Sequence, residues 1–266
     1  YKTEWLAVSK THQLYLEQSG NPNGIPVVYL HGGPGAGCSE NYRRYFDPDK
    51  YRIILFDQRG CGRSTPSPST EENTTWDLVN DLEKIRQYLA VEQWLVAGGS
   101  WGTTLALCYG ISHNQQVLAF LLRGIFLGTQ EEYDWLYQPN GAAHFFPEYY
   151  QDFIELLPEK DKLDVLAGYQ SLLTSDNDIA VTMASKSWYL WELRLSSIEH
   201  HHIGKAHIQD NHQSLSMAKI SSHFFNNQCD LSANYILDSI DKISHIPAII
   251  MHGRYDMVCQ LKQAYK

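Results

Sequence analysis

The sequence predicts an α/β fold, a mostly parallel β-sheet with helices on both faces. Short apolar runs typical of buried strands alternate with segments that carry apolar residues at helical spacing, the pattern of a parallel sheet. Three of the predicted strands, at residues 25–30, 52–56 and 94–97, lead directly into glycine-rich or polar turns. Because these turns follow successive parallel strands, we expect them at the same end of the sheet.

The third turn holds a candidate nucleophile, Ser100. Residues 98–102 read Gly-Gly-Ser-Trp-Gly, a Gly-x-Ser-x-Gly pentapeptide between an apolar run and the helical segment 103–107. Strand, sharp turn and helix in this order form a nucleophile elbow, in which glycines permit a strained backbone and the serine is exposed. The pentapeptide alone is equally typical of a glycine turn with a helix-capping serine, so its context decides.

The first two turns supply that context. Strand 25–30 leads into His-Gly-Gly-Pro-Gly-Ala-Gly at residues 31–37, a loop whose unobstructed amides suit an oxyanion beside the nucleophile. Strand 52–56 leads into the polar turn at residues 57–64. The three transitions in this order predict the α/β-hydrolase fold. We expect the backbone amides of Gly33 and Trp101 to form the oxyanion hole.

Folds of this kind place the catalytic triad in the order Ser, Asp or Glu, His. Residues 247–251 read as a late strand, and the turn after it ends at Asp256, the candidate acid that orients the histidine. An Asp in such a turn is otherwise often a turn former. His31 belongs to the oxyanion loop, His252 lies beside the acid, and the other histidines lie in the predicted cap or outside the core motifs, so we expect the catalytic histidine beyond Lys266.

The chain divides into a core and an insertion. Residues 1–128 and 242–266 carry the strand–helix pattern of an α/β-hydrolase core, the second part incomplete at its C-terminal end. Residues 129–241 are rich in aromatic and polar side chains with few β-branched runs, which predicts a helical cap over the active site. Within the core, Thr74 and Asp77 form a predicted capping box at the start of a helix.

Composition limits the function classes. With 266 residues, 43% hydrophobic and 19% charged, the chain is long enough to bury one large core. A net charge of −9 without a dense Lys/Arg cluster argues against nucleic acid and anionic lipid as partners. No apolar run approaches the roughly 20 residues of a membrane span, and the start lacks a signal-peptide core, so we expect a cytoplasmic protein.

Cysteines and histidines suggest no metal site. The five cysteines are scattered without C-x-x-C spacing, which predicts reduced thiols rather than disulfides or zinc ligands. Residues 199–202 read Glu-His-His-His, with His207 and His212 nearby. Consecutive histidines project in different directions on a helix, so we expect a solvated loop here and no functional metal or cofactor.

The motifs together resemble the proline iminopeptidases, serine hydrolases that remove N-terminal proline from peptides. The resemblance runs from about Val27 to the end of the chain and is carried by HGGPGAG, DQRGCGRS, GGSWG, LLRGIFL and HGRYD. It implies a serine aminopeptidase with Ser100 and Asp256 in the triad and a small peptide as substrate. The oligomeric state is not predicted.

The resemblance also bears on specificity. Residues 188–192, Trp-Tyr-Leu-Trp-Glu, resemble the W-x-x-W-E segment whose glutamate binds the substrate's α-ammonium group, which implies this role for Glu192. The chain departs from the family at Ser221, where a second amine-binding glutamate is usual. We therefore expect weaker discrimination for proline, because the ammonium would have one charge partner fewer.

Two other functions stay open at this point. A related serine hydrolase of esters, amides or other small molecules such as lactones is favoured by Ser221. A non-catalytic ligand-binding protein on a hydrolase scaffold would need no histidine, but the intact elbow at Ser100 and the acid at Asp256 argue against it.

Overall fold

A computed structural model describes residues 2–197 and 210–266, and it has the predicted α/β-hydrolase architecture. The strands are β1 (Lys2–Ala7), β2 (Gln13–Gly20), β3 (Ile25–Leu30), β4 (Tyr51–Phe56), β5 (Trp94–Ser100), β6 (Val117–Ile125) and β7 (Ala248–Met251). The α-helices are α1 (Thr75–Tyr88), α2 (Trp101–Ser112), α3 (Gln130–Tyr137), α4 (Pro147–Ile154), α5 (Val165–Leu173), α6 (Asp178–Leu195), α7 (Asn211–Asn226) and α8 (Tyr235–Asp238).

The seven strands form one sheet in the order β1-β2-β4-β3-β5-β6-β7. β2 pairs antiparallel with β1 and β4, and the remaining neighbours are parallel. The parallel strands β3, β4, β5 and β7 therefore end at one edge of the sheet. The turns in which the sequence places its candidate residues all leave from this edge.

Alternation along the strands gives the sheet two buried faces. Val28, Ile54 and Val96 belong to the larger core, which includes residues of α1 and α2. The residues next to them in the chain form a second cluster on the other face of the sheet. Tyr42 of the short 3-10 helix Glu40–Tyr45 packs against this second cluster. The capping box at the start of α1 is confirmed.

Between β6 and β7 the described residues are helical and add no strand to the sheet. α6 packs on α7, and their neighbourhood is an aromatic cluster that includes Phe153, Tyr169 and Trp188. We call α3 to α7 the helical layer; its division from the core at residues 129 and 241 stays a prediction. None of the described helices combines the length and the apolar character that crossing a bilayer requires.

The turn after β4 is anchored to α1 by a buried ion pair. Arg59 Nε and Nη2 donate to the two carboxylate oxygens of Asp81 at 2.5 and 2.8 Å. Both side chains are nearly inaccessible, at 3% and 0% exposed. Such a fork fixes the turn because either charge without the other would be buried with only a longer ion pair left, Arg59 to Asp77 at 3.6 Å or Asp81 to Lys84 at 4.0 Å.

We expect Arg59→Met to lower the free energy of unfolding by about 3–5 kcal/mol, because it leaves the buried Asp81 carboxylate with only Lys84, 4.0 Å away, as a cationic neighbour. Urea unfolding followed by circular dichroism measures the loss. Lys162→Met, which removes the exposed ion pair between Lys162 and Glu159, is the control and should hardly move the midpoint. Equal losses in the two variants would contradict an anchoring role for Arg59.

Candidate active site

Ser100 stands at the junction of β5 and α2 with φ 55° and ψ −127°, a strained conformation for a residue with a side chain. The glycines on either side make this junction possible. A Cβ at Gly102 would lie 2.1 Å from the carbonyl oxygen of Leu30, and one at Gly98 would lie 2.5 Å from the carbonyl oxygen of Gly102. The strained elbow that the pentapeptide predicts is therefore present.

The oxyanion loop, residues 31–37, lies against the elbow. A Cβ at Gly32 would come within 3.4 Å of the Ser100 Cβ, and Gly33, with φ +115°, lines the same cavity as Ser100. On the other side, Trp101 is the first residue of α2, where backbone N–H groups have no acceptor within the helix. The two amides expected to bind an oxyanion thus lie on either side of the nucleophile.

Gln58, at the turn after β4, joins the ends of three strands. Its backbone N–H donates to His31 Nε2 at 3.0 Å, and its side-chain Nε2 donates to the His31 carbonyl at 2.9 Å. Its Oε1 accepts from the indole of Trp101 at 3.0 Å. From the sequence, Gln58 is assigned only to a polar turn. The signal that could have identified it is an amide side chain in the turn after a buried strand, at the sheet edge where the other candidate residues lie.

His31 is therefore a structural residue. Its Nδ1–H donates to the Gly32 carbonyl at 2.9 Å, so both ring nitrogens are engaged. Burial lowers the pKa of His31, although the nearby Asp57 carboxylate opposes the shift. The ring is kept neutral and holds the oxyanion loop to Gln58.

Asp57 fastens the far end of the oxyanion loop. Its carboxylate accepts from the backbone N–H of Cys38 at 2.7 Å, and from the backbone N–H and Nε of Arg63 at 2.8 Å each. Burial by itself would raise the pKa of Asp57, but the hydrogen bonds that the carboxylate accepts from Arg63 and Cys38 outweigh it and hold the pKa below its usual range. The carboxylate stays ionised and ties two loops together.

Asp256 lies in the turn after β7 and shares a cavity of about 620 Å³ with Ser100. Its Oδ1 accepts from the backbone N–H groups of Val258 and Cys259 at 3.0 and 2.8 Å, which fixes the carboxylate. His252 Nε2 lies 3.9 Å from Asp256 Oδ2, but it donates to the Cys259 carbonyl at 2.7 Å, and Nδ1 accepts from the Ile125 N–H, so both ring nitrogens are engaged away from Ser100.

The buried thiol of Cys259 contacts the nucleophile directly. Its Sγ donates to Ser100 Oγ at 3.5 Å. Burial raises the pKa of Cys259 far above its usual value, so the sulfur stays protonated. The turn that carries Asp256 is thereby held against the elbow.

A second cavity, of about 260 Å³, connects Ser100 to the helical layer. Its described lining is largely apolar and aromatic, and Glu192 of α6 is the one charged side chain among those residues. Tyr137 and Trp188 donate to Glu192 Oε1 at 2.9 and 2.7 Å. Burial raises the pKa of Glu192 to about 7, and the two hydrogen bonds only partly oppose this.

Ser221, by contrast, does not line this cavity. It is fully buried on α7, and its hydroxyl donates to the Pro34 carbonyl of the oxyanion loop at 2.9 Å. Five residues earlier on α7, Ser216 Oγ lies 3.3 Å from the carbonyl oxygens of both Gly35 and Gly60, which share its single hydroxyl proton. The side chain at position 221 therefore faces the loop rather than a substrate amine.

The histidine cluster at residues 199–202 and His207 lie outside the described residues, so the expectation of no functional metal there stays a prediction. Within residues 2–197 and 210–266 no group of three His, Cys, Asp or Glu side chains is placed to hold a metal ion.

Comparison with known proteins adds to this geometry. The family model described as the alpha/beta hydrolase fold matches residues 25–266. A proline iminopeptidase of Arabidopsis thaliana is 46% identical over all of this chain and 70% of its own length. A proline iminopeptidase of Xylella fastidiosa is 45% identical over 98% of this chain and 83% of its own length.

Among solved structures, a proline iminopeptidase of Mycobacterium smegmatis superposes with a TM-score of 0.54 at 17% sequence identity. The superposition covers 96% of this chain and 82% of that one. At this identity the likeness concerns the fold alone.

Gln58→Glu should lower the free energy of unfolding by about 1–3 kcal/mol, because it replaces the amide donor to the His31 carbonyl with a second acceptor. Chemical unfolding measures this. Gln93→Glu is the matched control, since Gln93 Nε2 also donates to a backbone carbonyl, that of Gln115, but at the exposed surface. Equal stability of the two variants would mean that Gln58 does not join the strand ends as described.

Proposed function

The chain belongs to the proline iminopeptidase family of α/β hydrolases, and we propose that it is a serine aminopeptidase that releases an N-terminal residue, preferably proline, from small peptides. The observation that carries the proposal is the cavity that holds both the Ser100 hydroxyl and the Glu192 carboxylate. A nucleophile and a carboxylate, the one charged group of the described lining, in a largely apolar pocket suit a substrate with a free ammonium group beside its scissile carbonyl.

The proposed chemistry is acyl transfer. Ser100 Oγ attacks the carbonyl carbon, the Oγ proton passes to a histidine, and the amides of Gly33 and Trp101 stabilise the oxyanion. The leaving amine takes the proton from the histidine. Water then attacks the acyl-enzyme and gives a proton to the histidine, which returns it to Ser100 Oγ as the product leaves. Asp256 orients the histidine.

The histidine of this scheme is proposed to lie outside residues 1–266. His31 and His252 have both ring nitrogens engaged with neighbouring groups, so neither is available to accept the Ser100 proton. The two relatives described above are longer than this chain, which covers 70% and 83% of them.

Specificity is proposed to reside in Glu192 and the aromatic walls around it. An ammonium pairs strongly with a carboxylate in a pocket of low dielectric, and Tyr137 and Phe225 offer ring faces on which a prolyl side chain packs. Because Ser221 gives the amine no second partner, the enzyme should reject other small N-terminal residues less strictly than an enzyme with two carboxylates would. We also propose that the protein acts in the cytoplasm.

The direct test uses the full-length protein with prolyl p-nitroanilide and a fluorophosphonate probe. Turnover and labelling are expected in the wild type, and Ser100→Ala should abolish both. Ser196→Ala, which changes a serine of the same cavity outside the elbow, should still be labelled. Hydrolysis of p-nitrophenyl acetate without hydrolysis of any aminoacyl arylamide would instead support the general esterase.

Glu192→Gln should lower kcat/KM for prolyl p-nitroanilide by about one to two orders of magnitude, because the ammonium loses the charged partner proposed for it. The same variant should change kcat/KM for p-nitrophenyl acetate little, since that ester has no ammonium. Steady-state kinetics on both substrates measure the difference. Equal losses on the two substrates would make Glu192 a structural residue.

The raised pKa of Glu192 predicts a pH dependence. The carboxylate is protonated below about pH 7 and ionised above it, so kcat/KM for the arylamide should rise with pH through this range. The histidine also titrates nearby, so the measured quantity is the ratio of arylamide to ester kcat/KM, from which the histidine cancels. This ratio should rise in the wild type and stay flat in Glu192→Gln; a flat ratio in the wild type would contradict the assignment.

A further inference from the structure

One face of α7 packs directly on the oxyanion loop. Ser221 donates to the Pro34 carbonyl, and Ser216 donates to the Gly35 carbonyl. Between them, Ile220 lies so close that a Cβ at Gly35 would be 3.0 Å from the Ile220 Cβ. Ser216 and Ile220 are one turn apart and Ser221 follows directly, so this side of α7 contacts the loop at three positions.

The contact from Ser216 reaches the oxyanion-binding amide through one internal hydrogen bond. The Gly35 carbonyl and the Ala36 N–H belong to the same planar peptide, and the Ala36 N–H donates to the Gly32 carbonyl at 3.3 Å. The Gly32 carbonyl in turn shares its peptide plane with the Gly33 N–H. Fixing the Gly35 carbonyl therefore limits how the Gly33 N–H is oriented.

The contact from Ser221 fixes the preceding peptide of the same loop, the one between Pro34 and Gly35. Its hydroxyl holds the carbonyl of the Pro34–Gly35 peptide at 2.9 Å, and Ser221 is fully buried. Gly35 itself has φ +94°, a region in which glycine alone moves freely. Without a partner outside the loop, this stretch of glycines would have little to hold one conformation.

We propose that Ser216 and Ser221 are positioning residues that hold the Gly33 amide in its oxyanion-binding orientation. The inference rests on the serine-hydrolase chemistry proposed above but not on the choice of substrate. Oxyanion stabilisation needs donors fixed before the reaction, since a displacement of about 1 Å costs up to a hundredfold in rate. The two hydroxyls supply that rigidity from the helical layer.

The test compares Ser216→Ala and Ser221→Ala with Ser214→Ala and Ser222→Ala in the full-length protein. Ser214 and Ser222 are buried serines of the same helix whose hydroxyls contact only other residues of α7 in the hydrogen bonds described. The first pair should lower kcat about tenfold to a hundredfold with KM changed less than about threefold, whereas the control pair should leave kcat near that of the wild type.

A second readout separates orientation from binding. The affinity of a prolyl boronate, whose tetrahedral adduct places an oxygen at the oxyanion position, should fall in parallel with kcat in Ser216→Ala and Ser221→Ala. The affinity of free proline should stay unchanged. Should Ser221→Ala not fold, Ser221→Cys keeps the volume with a weaker donor and serves the same comparison.

Kinetics with p-nitrophenyl acetate keep this inference distinct from the proposed function. If the wild type cleaves the ester but no arylamide, the aminopeptidase proposal fails, and the same loss of kcat on the ester still supports the positioning role. A rise in KM with kcat unchanged would show that α7 shapes only the substrate cavity. Losses equal to those of the control pair would overturn the inference.

Discussion

The carbonyl oxygen of Leu30 occupies the space that a side chain at residue 102 would need, and the arrangement of the site depends on this contact. Because Gly102 has no Cβ, the first turn of α2 packs against the end of β3. That approach brings the helix N-terminus, the Ser100 hydroxyl and the oxyanion loop together in a single small region. The positive φ of Ser100 is the local cost, and the surrounding sheet holds it in place.

Charge is distributed unevenly around this region. The loops are joined by groups that are neutral or already paired: the Gln58 amide, the neutral His31 ring and the Asp57–Arg63 pair. Among the described residues, the hydrogen-bond partners of Glu192 are in contrast the neutral donors Tyr137 and Trp188. The same desolvation that makes this carboxylate costly to ionise also strengthens its attraction for a cation. A buried acid without a basic partner is therefore suited to binding one.

The sequence was sufficient for features that depend on local pattern. The parallel strands β3, β4, β5 and β7, the elbow at Ser100 and the capping box at Thr74 follow from apolar runs, glycine spacing and short-range hydrogen bonding, so they were predicted correctly; β1 and β2 were not predicted. The triad and amine-binding roles of Asp256 and Glu192 remain predictions. Gln58 and Ser221 could not be interpreted this way, since their partners lie 27 and 187 residues away in the chain. An isolated polar residue does not reveal which way it faces.

The contacts of Ser216 and Ser221 also limit how the protein could diverge. A helical insertion attached to its core only through its two ends could be exchanged between relatives as an independent module. Here α7 both lines the substrate cavity, through Gln213 and Met217, and grips a loop of the core. An insertion taken from a relative, with a residue at position 221 that cannot donate, would change the cavity and would also remove the hydrogen bond to the Pro34 carbonyl of the oxyanion loop. Substitutions on α7 therefore bear on the cavity and on the oxyanion loop at once.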